Sequence, residues 1–265
     1  MRYHALKRTF AALGLAAAYS SSWALPSFTL NPSAAGFAGS AFTGDNILTS
    51  DFSGVTFSDA THFVDNGFLQ VTSVQLGGTT FTPAGLNSAY GLWFRFQATG
   101  HLTTGNASTL LSAPASGAFD TLTYTLSGNN GTQTFSATPA GGTCVSGCAG
   151  ATTLANGSII GGGVGSTMMI DPNTMAEVFV PNAAATVSFA AASGGFFQAP
   201  SPFYTVALTS FTNTISQIVP SGSGFTVTQG GGSINFASPI PEPNIYALML
   251  GGLCMLGLLM RRRRP

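Results

Sequence analysis

Between residues 27 and 238 apolar positions recur in short alternating runs, and no stretch keeps the 3.6-residue period of an amphipathic helix. Residues 67–74 (Gly-Phe-Leu-Gln-Val-Thr-Ser-Val) form a strand of mixed alternation. Residues 91–96 place Leu92, Phe94 and Phe96 on one face, with Trp93 and Arg95 on the other. Residues 121–126 alternate cleanly, with Leu122, Tyr124 and Leu126 opposite three threonines. Asn130-Gly131 then predicts a hairpin turn into a returning strand that holds Phe135. Further strands are expected at 168–170, 177–180, 185–190, 203–211, 225–228 and 233–236. The glycine-rich stretch 161–165 and residues 221–224 read as loops, and 230–232 as a turn. The pattern predicts an all-β chain with one antiparallel β-sandwich-like ectodomain over residues 25–238.

Both ends break this pattern. The N-terminus has a basic start (Arg2, Lys7, Arg8), an apolar stretch over 10–18 and Ser22-Trp23-Ala24. That is a signal peptide over residues 1–24, cut between Ala24 and Leu25 by signal peptidase after passage through the secretory translocon. At the C-terminus, Pro241, Glu242 and Pro243 precede an uncharged apolar run over 245–260, closed by Arg261, Arg262, Arg263 and Arg264. A helix over that run would be roughly 25 Å long, enough for a transmembrane helix with slight bilayer thinning. Its arginines stay cytoplasmic as a basic stop, so the ectodomain faces outward.

This tail, residues 239–265, resembles the PEP-CTERM sorting signal of Gram-negative bacteria. The resemblance implies recognition by exosortase, cleavage near the motif, a transient inner-membrane intermediate, and delivery to the cell surface or extracellular matrix. Three further stretches, Leu25-Pro-Ser-Phe-Thr-Leu-Asn-Pro-Ser, Ala41-Phe-Thr-Gly-Asp-Asn-Ile-Leu-Thr-Ser-Asp-Phe-Ser and Gly85-Leu-Asn-Ser-Ala-Tyr-Gly-Leu-Trp-Phe, resemble flocculation-associated PEP-CTERM proteins. That likeness implies a non-enzymatic protein holding cells in an extracellular polysaccharide matrix, as in flocs or biofilm, with no cofactor.

Charge changes the picture once the ends are set aside. The full chain is formally neutral, but its basic residues lie in the targeting segments, except Arg95. The ectodomain keeps Arg95 against Asp45, Asp51, Asp59, Asp65, Asp120, Asp171 and Glu177, a net charge of −6. So few cations cannot neutralise phosphates, which excludes nucleic acid as a partner.

Candidate chemistry is sparse. Cys144 and Cys148 sit in a glycine-rich segment, and in an exported chain they are expected to form a disulfide. Two thiols fall short of a metal site, and a Cys-x-x-Cys redox pair would be one residue shorter. His62 lies between Asp59 and Asp65 in what reads as a polar loop, and His101 is the other ectodomain histidine. A hydrolase could use either as a base, but no Gly-x-Ser-x-Gly elbow supplies a nucleophile, so no catalytic residue is assigned. Carbohydrate or calcium binding is the alternative function. It would use Trp93 and Tyr90 as a stacking platform, or Asp45, Asn46, Asp51, Asp59 and Asp65 with Asp171 and Asn173 as oxygen ligands. Otherwise these acids are turn formers, and no metal site is assigned.

Overall fold

Long alternating strands fold into one curled sheet. The computed structural model describes residues 25–192 and 194–237; the signal-peptide site at Ala24, the PEP motif, the 245–260 helix and the terminal arginines lie outside them. In chain order the strands are β1 (Phe28–Leu30), β2 (Phe42–Gly44), β3 (Asn46–Phe57), β4 (His62–Leu76), β5 (Thr79–Phe81) and β6 (Tyr90–Thr104). Next come β7 (Ser116–Asn130), β8 (Thr134–Thr138), β9 (Gly141–Ser146), β10 (Thr152–Ile170) and β11 (Glu177–Ser188). The chain finishes with β12 (Ala190–Ala191), β13 (Phe197–Ala199), β14 (Val206–Thr212), β15 (Ile218–Ser221) and β16 (Gly224–Ala237).

The all-β, antiparallel expectation matches these elements. Pairing runs in the order β11-β14-β16-β3-β4-β6-β7-β10, and β10 pairs β11 again along its C-terminal half. The facing layers anticipated for a sandwich are therefore joined edge to edge into a closed ring. Closure removes the exposed edges that a long sheet would otherwise present. Register shifts at Leu48/Thr49, Thr99/Gly100, Ile159/Gly161 and Thr228/Gly230 bend the strands around the ring.

Three sequence-based assignments change. The glycines at 161–165 are not a loop but the middle of β10, where Gly163 faces Ala118 of β7 on one side and Ala184 of β11 on the other. Gly230–232 is likewise no turn; it runs in β16 between β3 and β14. In both cases hydrogen bonds from strands on either side override the local preference of glycine for turns. Finally, Asn130-Gly131 ends β7 without forming the expected hairpin. Gly131 takes φ 80°, but β8 turns away and pairs β9 as a separate ribbon.

That ribbon lies on the outside of β3, β4 and β6. Phe135 of β8 meets Phe68 at 5.2 Å and both Phe52 and Trp93 at 6.0 Å between ring centroids. Inside, apolar side chains gather in two clusters. One, with Ile47, Leu69, Phe94, Leu126 and Phe236, fills one end and is closed by the small β13-β1-β2 sheet, whose Phe28 packs edge-on against Phe236 at 5.1 Å. The other, with Val55, Phe57, Phe63, Leu102, Val180 and Phe225, fills the opposite end. Each fully buried Phe, Leu or Val contributes roughly 1.5–3 kcal/mol. The candidate site lies between the two clusters.

Candidate functional site

Strand alternation carries Asp51, Ser53, Val55 and Phe57 of β3 inward together, and Phe63, Asp65, Gly67 and Leu69 of β4 with them. In register, Asp51 faces Leu69, Ser53 faces Gly67, and Val55 faces Asp65. The two carboxyls thus lie diagonally across the Ser53–Gly67 pair. Gly67 keeps that crossing open, because a Cβ there would sit 2.5 Å from the Cβ of Ser53 and 2.8 Å from the Phe96 ring. Ser53, fully buried, donates its hydroxyl to Oδ2 of Asp51 at 3.2 Å.

Asn213, just after β14, completes the group. Its amide nitrogen donates to the carbonyl of Pro181 at 2.9 Å, which turns Oδ1 the other way. A side chain on Gly230 would run into that oxygen and lie 3.3 Å from Cβ of Asp51, so Asn213 Oδ1 and Asp51 border one space. The neighbouring Gln229 holds φ 61°, a left-handed conformation uncommon for a non-glycine, at the bulge opposite Asp51. Asp51 is 7% exposed and Asn213 9%. Asp65 is half-buried as a residue, but its inner carboxyl oxygen is fully covered. Oδ1 of Asp51, Asp65 and Asn213 are all buried with no hydrogen-bond partner among the described residues.

Electrostatics follow from that burial. Removal from water pushes the Asp51 carboxyl up to about 7, against a smaller opposing effect of the Ser53 hydroxyl. Asp65 is raised well above its ordinary value by burial first and by the nearby Asp51 charge second. Tyr124, also lining the space, is raised by burial and donates its hydroxyl to the Ser188 carbonyl at 2.8 Å. Around these groups lies a cavity of about 120 Å³, walled largely by aromatic and aliphatic side chains.

A second cluster sits on the outer surface. His62 opens β4 rather than lying in a loop, and its register partner across the strands is His101 of β6, with ring centroids 6.0 Å apart. Nδ1 of His62 bonds Asp59 Oδ2 at 2.8 Å, and Nδ1 of His101 bonds Asp120 Oδ1 at 2.8 Å. Asp59 Oδ1 also accepts from the backbone N–H groups of Thr61 and His62, which hold its carboxyl well below the usual range. The fold therefore brings together the two histidines that sequence could only name separately. The Thr61 hydroxyl beside the His62 ring lies 3.4 Å from the nitrogen already engaged by Asp59. That is not the geometry of a base activating a nucleophile.

The remaining candidates disperse. Trp93 and Tyr90 are 3% and 0% exposed, so neither forms a sugar-stacking platform: the β8–β9 ribbon covers Trp93, and Phe37 stacks on Tyr90. Asp45 accepts from the Gly77 N–H at 2.6 Å and Asn46 donates to Gln75 at 2.8 Å. Asp51 and Asp65 point inward, Asp59 caps its own turn, and Asp171 caps the turn holding Asn173. The acidic stretch thus builds no shared oxygen cage. Cys144 and Cys148 are disulfide-bonded at the end of β9, with Cα atoms 6.4 Å apart. Sequence reasoning named Asp51 and Asp65 only among scattered oxygen ligands and turn formers, and missed both their shared inward face and Asn213. The signal was present in the alternate-residue sets Asp51, Ser53, Val55, Phe57 and Phe63, Asp65, Gly67, Leu69, whose apolar members fix the inward face.

Residues 239–264 match the family model of the PEP-CTERM protein-sorting motif. No curated protein and no solved structure matches the chain. The chain thus carries an exosortase-directed sorting signal and is exported through the membrane to the cell surface. Among the described residues no helix is long and apolar enough to cross a membrane.

Proposed function

We propose that this chain is a non-enzymatic surface or matrix protein that promotes cell aggregation, in flocs or biofilm, together with extracellular polysaccharide. The sorting motif at 239–264 carries the reading, because it directs the whole ectodomain to the outer surface. In this account signal peptidase cuts between Ala24 and Leu25, the 245–260 helix and its four arginines hold the chain in the inner membrane of a Gram-negative cell, and exosortase cuts near Pro241–Glu242–Pro243. A body with one Arg and no Lys over residues 25–238 has few charges to keep neighbouring copies apart, which suits a protein that associates.

Two measurements test this reading. Glu242→Ala should leave an uncut, membrane-retained form on immunoblots of fractionated cells; normal release refutes the processing scheme. Deleting the gene should abolish flocs while polysaccharide synthesis continues, and unchanged flocculation refutes the aggregation role.

Ligand binding is the second reading, favoured by the interior cavity and its unpartnered oxygens rather than by Trp93 or the acidic stretch.

A further inference from the structure

We propose that the barrel interior binds a small organic compound bearing one primary ammonium group, its nitrogen held by Asp51, Asp65 and Asn213 and its apolar body lodged among the surrounding aromatic side chains. The inference deepens the ligand-binding reading and is independent of the role in aggregation.

The polar groups specify the charged end. With the acids ionised, the three unpartnered oxygens are all acceptors: two belong to carboxylates, and the third is an amide oxygen whose own NH₂ is committed to Pro181. An unmet buried acceptor costs roughly 1–3 kcal/mol, more when charged. An ammonium offers three donors and no acceptor, so it complements this set in both number and kind. It also supplies the missing charge. Arg95 is the only Lys or Arg among the described residues, and it lies exposed on the outer face of β6. No internal cation therefore balances the acids. With Asp51 titrating near 7, a negative charge stands in the interior above neutral pH.

The walls specify the rest of the ligand. Phe94, Phe96, Phe119, Phe189 and Phe211 line the space together with Tyr124. Aromatic faces attract a desolvated cation, and their bulk excludes water. A cavity of about 120 Å³ is close to the ~150 Å³ apolar cavity that accommodates benzene. A bare metal ion fits less well: calcium takes 6–8 oxygen ligands, and the rest of this wall is mainly apolar. The open crossing at Gly67 and the bulge at Gln229–Gly230 place the acids around one space rather than against filler side chains.

Calorimetric titration of the full chain, purified in detergent, tests the assignment with benzylamine as probe and benzyl alcohol as its neutral counterpart. At pH 8 benzylamine should bind at least tenfold more tightly than benzyl alcohol. At pH 5 that preference should vanish. Among the described residues the titratable groups facing the space are Asp51, Asp65 and Tyr124; Asp51 is then protonated, burial shifts Asp65 in the same direction, the phenol is neutral throughout, and the amine keeps its charge. Asp51→Asn and Asp65→Asn should each weaken benzylamine at least tenfold and leave benzyl alcohol unchanged, whereas Asp171→Asn, on an outer turn, should change neither. Equal affinity for amine and alcohol, or amine affinity indifferent to pH, overturns the proposal, and both comparisons use the unaltered chain if the variants do not fold. Calcium chloride giving heat that depends on Asp51, with none from benzylamine, overturns it in favour of a metal site.

Discussion

The barrel interior and the rim at His62 use the same side-chain chemistry to opposite ends. On the rim, Asp59 accepts two backbone N–H groups and an imidazole, and Asp120 holds the second histidine. The bonds to Asp59 favour its ionised carboxylate, and water surrounds the group besides. Inside, Asp51 accepts one hydroxyl, while its second oxygen and one oxygen each of Asp65 and Asn213 go without. The rim acids are local devices that fix a turn and orient a ring. Those of the interior impose a desolvation cost on the fold that the Ser53 hydroxyl only partly repays. A fold tolerates such a cost where the group serves something beyond the fold, and so the interior rather than the rim carries the ligand assignment.

The largest expected effect follows from the opposite titration of the two regions. Asp51 ionises near 3.8 when unfolded and near 7 in the barrel. Between those values the unfolded chain releases a proton that the barrel keeps. The contribution of Asp51 is therefore complete below about pH 4 and is lost as pH rises through 7, with Asp65 acting in the same direction. Urea unfolding at a series of pH values should show stability falling from pH 4 to pH 8, with Asp51 alone accounting for on the order of 4 kcal/mol, at about 1.4 kcal/mol per pH unit of separation. Asp51→Asn should remove the Asp51 part of that slope and leave the part that burial of Asp65 contributes. A wild-type profile that rises over the same range would erase the contrast between interior and rim.

What sequence shows of these regions depends on how local each signal is. The strands around 67–74, 91–96 and 121–126 are legible because alternation is a property of neighbours in the chain. The sorting tail is legible for the same reason, its motif, apolar run and arginines being contiguous. The glycines of β10 and β16 are illegible, because the bonds that make them strand come from β7 and β11, and from β3 and β14. The pairing of His62 with His101 is a matter of register between β4 and β6. Asp51 and Asp65 mislead for a subtler reason. Acids among Ser, Asn and Gly read as turn formers, and only the inward direction of Val55, Phe57, Phe63 and Leu69 reveals that they share the core face.

The second effect tests whether the outer ribbon is separable from the interior. Phe135→Ala removes the ring that covers Phe52, Phe68 and Trp93 and should cost about 2–3 kcal/mol, as a partly collapsed cavity does. Trp93 fluorescence should shift to the red as water reaches the indole. The pH slope from Asp51 should survive unchanged, since Phe135 packs on the far side of β3. If the slope vanished with the ribbon, the burial of Asp51 would depend on the outer cover, and the two faces of β3 would be one unit.

The smallest effect belongs to the rim and has the reverse sign. Backbone N–H groups of His62 and Thr61 stabilise ionised Asp59 and hold its carboxyl below the ordinary range. Its contribution is thus present above about pH 4 and is lost as the solution is acidified through the lowered value. Asp171, held down by Asn173 and Thr174, behaves alike. Asp59→Asn should therefore reduce the fall in melting temperature between pH 4 and pH 2 and leave the limb from pH 4 to pH 8 intact. Full exposure and screening by salt keep this change below that of either preceding variant. Because the neutral amide can still accept both backbone bonds, a reduced acid limb reports the charge of Asp59 and not the loss of its turn.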